Sequence, residues 1–406
     1  MVAVAKPVAS GQLRRRLGLG LLVLYGIGIT VGAGIYVLIG AVAGQAGVYA
    51  PWAFLLAALA MSFTVGSYME LATRFPVSAG EAAYVKAAFG RPLITRTVGL
   101  ATLVTAIISS AAVALGSAGY IAEFVALPRP VLVVLVLLAV GAVAAYGILE
   151  SVVLAGVFTI VEVGGLLAII IAAMLSPAPL VIPSVPPADA AVLTGIATGS
   201  LIAFFAFIGF EELANIAEEA KEPERSLPLA MIITLVVSAA LYVLIAIVAV
   251  SVVEPGRLAK SSAPLSDVFR AVAAVSPATI TAIAIMATIN TILASLTMAS
   301  RVAYGMARQG DLPKVLGDVN AVTGTPLVAT ALTVGAALVL ALAFNIEPLA
   351  EATSVATLIV FALVNMSLIV IRWRGDGGKS GYFRVPGWVP YAGVASSVAM
   401  ALASVL

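Results

Sequence analysis

The chain has 406 residues, 62% of them hydrophobic and 10% charged, where a soluble domain carries about 25% charged residues. With a mean hydropathy of +1.17 and apolar runs of about 20 residues along its length, it requires a bilayer. The balance of 21 Lys and Arg against 19 Asp and Glu excludes a nucleic-acid surface. The absence of Cys and His removes disulfides, thiolate nucleophiles and the commonest general base and metal ligand.

Continuous apolar runs predict about eleven helices, at 20–43, 50–73, 94–124, 131–147, 151–175, 191–217, 227–252, 269–300, 326–345, 348–371 and 388–406. The runs do not alternate in polarity over ten residues, so the class is all-α and not a barrel. The first run is too long for a cleaved leader and lacks a small-residue exit site, so it stays in the protein. With residues 1–19 placed in the cytoplasm, 17 Lys and Arg fall on the inner side. Only Arg129, Arg257, Lys260 and Arg270 fall outside, which supports that orientation.

The first helix carries Gly26, Gly28, Gly32 and Gly34 within nine residues. Two readings compete: close helix packing through Gly28-x-x-x-Gly32, or an unwound stretch around Thr30 to Gly34 lining a polar pocket. A matching interruption at Ala206 to Gly209, five helices later, favours the break. Because five is odd, 20–175 and 191–371 then form an inverted pair, with 388–406 outside it. Facing half-helix ends present amides to an anion and carbonyls to a cation, which suits a zwitterion. Phe205, Ile208, Ser109 and Ser110 remain to judge the substituent.

Glu162 lies midway along the fifth helix, with no basic residue in any helix interior to pair with. An intramembrane acid of this kind marks a functional site by default, and a bound proton or Na⁺ is its natural compensation; the structural alternative is a permanently neutral acid. Glu211 and Glu212 lie near the inner half of the sixth helix and are equally readable as structural. In the eighth helix Thr291 and Ser295 share a face and offer ion-coordinating oxygens, although membrane hydroxyls commonly bond their own i−4 carbonyl. The loop at 74–81 breaks after the second helix and restarts as a short amphipathic helix at Ala82 to Ala88.

The stretches GIGITVGAGIYV (26–37), ELATRFPVSAGEAAYV (70–85), FFAFIGFEE (204–212) with EEAKEPERSLPLAM (218–231), and SRVAYGMARQGDLP (300–313) stand in the order and spacing of the amino acid–polyamine–organocation permeases. The chain resembles that family from Leu17 to about Arg372. The resemblance implies a LeuT-like five-plus-five inverted-repeat transporter with substrate between the breaks of helices 1 and 6. By position, Thr30, Gly32, Ala33 and Gly34 would contact the amino acid's backbone groups, while Phe205, Ala206 and Ile208 would supply the opposite wall, with Phe205 as a gate. The family ends with a twelfth helix, and this sequence stops at Leu406. Proton-coupled relatives resemble the chain around Glu150-Ser151 but carry a lysine twelve residues after that Glu, where this chain has Glu162.

The expectation is therefore a plasma-membrane carrier of small or medium neutral amino acids, coupled to H⁺ through Glu162, without an organic cofactor or structural metal and with unknown oligomeric state. Alternatives are a cationic amino acid or polyamine permease, and a Na⁺-coupled carrier or exchanger using Thr291 and Ser295. Outside the class stand a non-transporting receptor and an intramembrane enzyme. The enzyme lacks the His, Cys or paired intramembrane Asp its chemistry needs. No P-loop is present, so ATP is not the driver.

Overall fold

The computed structural model describes residues 17–76, 80–146, 152–177, 179–273, 276–320, 323, 325–375 and 381–403. The proposed family marker Glu150-Ser151 and loop residues 77–79 lie outside the described residues. The structure is about 81% helical. The first apolar run becomes α1 (Leu19–Val31) and α2 (Ala33–Ala46), and the second becomes α3 (Ala50–Arg74), with Pro51 in its first turn, a position where its missing N–H costs nothing. The amphipathic restart is α4 (Gly80–Phe89), and Pro92 opens α5 (Pro92–Ile121). Then come α6 (Arg129–Tyr146), α7 (Val152–Leu175) and α8 (Ala190–Phe205), whose first amides are capped by Asp189.

The sixth predicted helix, 191–217, is not continuous. After α8 the chain turns and resumes as the single turn α9 (Glu212–Asn215) before α10 (Pro223–Val252). The eighth differs as well. After the short α11 (Pro255–Lys260), the chain forms α12 (Pro264–Val272) and α13 (Ala278–Arg308) in place of 269–300. Proline explains the division: Pro264 starts α12 and Pro277 sits just ahead of α13. The apolar side chains Leu265, Val268 and Val272 hide α12 within a hydrophobic run, yet they bury one face while Asp267 and Arg270 stay at the surface. The fold closes with α14 (Leu327–Ala343), α15 (Ile346–Arg374) and α16 (Val389–Ala403). Among the described residues, seven stretches are long and apolar enough to cross a membrane, one of them the run Leu19–Arg74, and α8, α14 and α16 are shorter apolar helices.

Two tethers fix the ends of this bundle. The Leu17 N–H donates to the Glu219 carbonyl at 3.0 Å and the Lys221 N–H to the Leu17 carbonyl at 3.0 Å, joining the start of α1 to the exit of α9. At the end of α3, Glu70 is fully buried and accepts from Arg74 (2.8 Å), from Arg372 Nε (3.0 Å) and Nη2, and from the Val385 amide (2.9 Å). Arg74 also lies over the Tyr382 ring at 4.1 Å. One carboxylate thus anchors α3, α15 and the connection into α16. Removing one partner of such a buried set leaves uncompensated charge, at a cost of about 3–5 kcal/mol. Glu70→Ala is expected to lower the thermal unfolding midpoint of the purified protein sharply; an unchanged midpoint would show that the anchor is dispensable.

Candidate functional site

The α1–α2 interruption is one residue wide. Thr30 and Val31 remain helical, and Gly32, with ψ −129°, turns the chain out of the helix while its N–H still reaches the Gly28 carbonyl at 3.2 Å. The sequence-based stretch of Thr30 to Gly34 is therefore too broad. A new helix starting at Ala33 has amides with no intrahelical partner. The Ala33 N–H donates to Thr291 Oγ1 on α13 at 3.1 Å, and the Thr291 hydroxyl donates to its own Ala287 carbonyl at 3.0 Å. Thr291, read from sequence as an ion-coordinating hydroxyl, stands at the break in the role of a cap. Ser295, one turn further along α13, is half-buried, and among the described residues no hydrogen bond joins it to α1 or α2.

The second interruption runs from Ala206 to Glu211. It opens with tight i→i−3 bonds from the amides of Ala206, Phe207 and Ile208 to the carbonyls of Ala203, Phe204 and Phe205 (3.0, 3.0 and 3.2 Å). Gly209 follows with φ +132°, a conformation that side chains rarely adopt, and its N–H donates to Glu211 Oε2 at 2.8 Å. Aromatic rings hold the turn on both sides. Phe207 meets Tyr242 at 4.9 Å between centroids, while Phe210 meets Tyr68 at 5.2 Å and Phe361 at 5.6 Å, spacings typical of favourable aromatic pairs.

The two breaks face each other across van der Waals distance. A Cβ built on Gly34 would lie 2.5 Å from the Ala206 Cα, and one on Gly209 would lie 2.6 Å from Ile29 Cγ2. Between them stands Tyr242 of α10, fully buried, whose hydroxyl is 2.6 Å from the Thr30 carbonyl and 2.8 Å from the Ala206 carbonyl. The Thr30 hydroxyl is itself buried without a hydrogen-bond partner among the described residues. Of the residues expected at the site, Thr30, Gly32, Ala33, Gly34, Ala206 and Thr291 converge here. Phe205 ends α8 as a buried side chain and Ile208 is half-buried in the turn. Ser110 bonds back to its own Ala106 carbonyl at 2.8 Å, and Ser109 is half-buried.

Glu162 is 0% exposed on α7. Its backbone carbonyl accepts the Tyr36 hydroxyl at 2.6 Å, the Tyr36 carbonyl accepts the Tyr120 hydroxyl at 2.5 Å, and the Leu265 amide reaches Tyr120 at 3.4 Å. A chain of tyrosine hydroxyl bonds therefore connects α7, α2, α5 and α12. Neither Tyr36 nor Tyr242 was expected from sequence. The available signal for Tyr242 was the four-residue spacing Thr234, Ser238, Tyr242 on an otherwise apolar helix.

A second acidic group lies beside the α9 turn. Tyr68 donates to Glu81 Oε1 on α4 at 2.9 Å, and Asn215 donates to Glu212 Oε2 at 3.0 Å. Burial first, and then the charge of Glu212, push the Glu81 carboxyl up from 4.5 to about 7.

A family model described as amino acid permease matches residues 19–406. The chain belongs to that family. It is 31% identical over 386 residues to the vacuolar cationic amino acid transporter 2 of Arabidopsis thaliana, covering 89% of this chain and 60% of that one. To the vacuolar cationic amino acid transporter 4 of the same plant it is 32% identical over 393 residues, covering 90% and 65%. The branched-chain amino acid permease BcaP of Bacillus subtilis is 28% identical over 391 residues, with 91% and 83% covered. The chain thus spans less than two thirds of the length of those plant relatives, and most of the bacterial one. A multi-pass, all-helical membrane protein of this family is in keeping with both the helices and the breaks.

Two outcomes follow from the site's geometry. Gly34→Ala places a methyl against backbone, so it should cost about 1–3 kcal/mol by overpacking, read as a lower unfolding midpoint; a midpoint equal to wild type would show that the breaks separate freely. The folded protein holds the Glu81 proton more tightly than an unfolded chain does. Its contribution to stability is present in full below about pH 4.5, falls as pH rises and is lost above about pH 7. Glu81→Gln should flatten the midpoint's dependence on pH across that window, and an unaltered slope would assign it to other groups.

Proposed function

We propose that the chain is a secondary carrier of amino acids, with neutral side chains of small or medium size, working by alternating access across a plasma membrane with its N-terminus in the cytoplasm. The observation that carries this reading is the meeting of two breaks at which carbonyls released from helical bonding (Thr30, Ala206) and a helix-starting amide (Ala33) lie together. Backbone groups of both polarities suit an ammonium and a carboxylate on one carbon. The breaks' positions in the chain support a five-plus-five inverted repeat spanning 20–175 and 191–371. Phe205 and Ile208 favour an apolar substituent, and a bacterial relative is named for branched-chain amino acids.

The plant relatives are named cationic amino acid transporters, which supports a second reading in which arginine or lysine is carried. Thermal stabilisation of the purified protein by each of the twenty amino acids and by spermidine separates the two. Stronger stabilisation by arginine or spermidine than by alanine, serine or leucine would overturn the neutral reading, and no stabilisation by any would overturn amino acid binding altogether.

Coupling is assigned to Glu162, with H⁺ as the ion; Thr291 and Ser295 are the hydroxyls a Na⁺ mechanism would use. An acid buried on α7, against Tyr36 of α2, and reached by water alternately from each side can load and release a proton. Glu162→Gln mimics the protonated acid. It should bind substrate within about threefold of wild type while losing accumulation driven by a pH gradient in proteoliposomes. Undiminished accumulation would make Glu162 a structural acid, and Na⁺-driven uptake abolished by the change would move coupling to sodium.

A further inference from the structure

In an unbroken helix the Thr30 carbonyl would take the N–H of Gly34, and the Ala206 carbonyl that of Phe210. The breaks free both acceptors, and both turn to the Tyr242 hydroxyl, at 2.6 and 2.8 Å. A phenol has one proton to give, so two carbonyls share a single donor. The Phe207 and Phe54 rings, 4.9 and 5.8 Å from the Tyr242 ring, hold that donor in place. At the other end of the break the orphan amide of Ala33 is met by Thr291 Oγ1, a neutral acceptor at 3.1 Å that also donates to Ala287. The protein's own side chains thus place a donor on the break's carbonyls and an acceptor on its amide. That is the polarity of a zwitterion's two ends, in weaker form on both counts.

We propose that Tyr242 and Thr291 are the side chains an α-amino acid displaces, its ammonium taking the Thr30 and Ala206 carbonyls from Tyr242 and its carboxylate taking the Ala33 amide from Thr291. The inference rests on the amino acid reading above and adds the residues that set affinity within it. An ammonium brings three charged donors to acceptors that Tyr242 serves with one. A carboxylate at the start of α2 gains a charge-assisted bond and a favourable helix dipole that a hydroxyl lacks. Binding is then an exchange of hydrogen bonds, and its strength is limited by what must be released. Thr30 Oγ1, buried beside the exchange, is available to a ligand without displacing anything. Discrimination follows as well, because a molecule with only one charged end displaces one hydroxyl and leaves the other in place.

The test uses the full-length protein in detergent and isothermal titration with L-leucine, its des-amino analogue 4-methylpentanoate and its decarboxylated analogue isopentylamine. If the panel favours arginine, L-arginine, 5-guanidinopentanoate and agmatine take their places. Tyr242→Phe keeps the ring and removes the competing donor. It should bind the amino acid and the amine about tenfold more tightly, the size of one net hydrogen bond, and leave the carboxylate-only analogue unchanged. Thr291→Val, measured without Na⁺, should tighten the amino acid and the carboxylate-only analogue and leave the amine unchanged. Equal or weaker binding of the amino acid by the folded Tyr242→Phe protein would overturn the proposal, as would uniform changes across all three compounds. Should Tyr242→Phe not fold, the Thr291→Val pattern decides by the same criteria. Failure of wild type to bind any amino acid overturns the functional reading instead, whereas wild-type binding with no selective tightening in the variants overturns this inference alone.

Discussion

A broken helix inside a bilayer exposes backbone groups that lipid cannot satisfy, and much of this structure answers that one deficit. Two interruptions, at Gly32 and at Ala206 to Glu211, would each be costly alone. Placed face to face they share the repair. A tyrosine from α10 serves a carbonyl from each, a threonine from α13 serves an amide, and Glu211 serves Gly209. Helices distant in sequence are thereby bound to the site by polar bonds.

Aromatic packing supplies rigidity around a deliberately irregular centre. Phe204, Phe210, Phe361 and Tyr68 form a continuous aromatic group on one side of the α8–α9 turn. Phe207 and Phe54 enclose Tyr242 on the other. Aromatic side chains lose little conformational freedom for the area they bury, so a turn clamped between them keeps its shape without helical bonds.

The sequence made the class and the places of the two breaks legible for physical reasons. Apolar runs of membrane length leave few alternatives, and four glycines in nine residues at mid-span are costly unless they allow close approach, which Gly34 and Ala206 bear out. Finer features were hidden where they depend on distant partners. The interruption is confined to Gly32 with Ala33 capped by Thr291, which stands 258 residues away. Tyr242 looked like one more large side chain in a hydrophobic helix because its two acceptors exist only after both breaks form. The amphipathic α12 was absorbed into a neighbouring span, since hydropathy averages over the prolines that delimit it.

The backbone bonds between Leu17 and the Glu219–Lys221 segment carry a mechanical consequence. They are main-chain contacts, indifferent to side-chain identity, and they weld the entrance of α1 to the exit of α9 like the two legs of a staple. Above the weld the same two pieces of chain stay packed on each other, Gly26 against Leu213 and Ile29 against Gly209. A pair of rods fixed at the foot and packed together higher up moves as a single lever, so a tilt of α1 carries α9 with it.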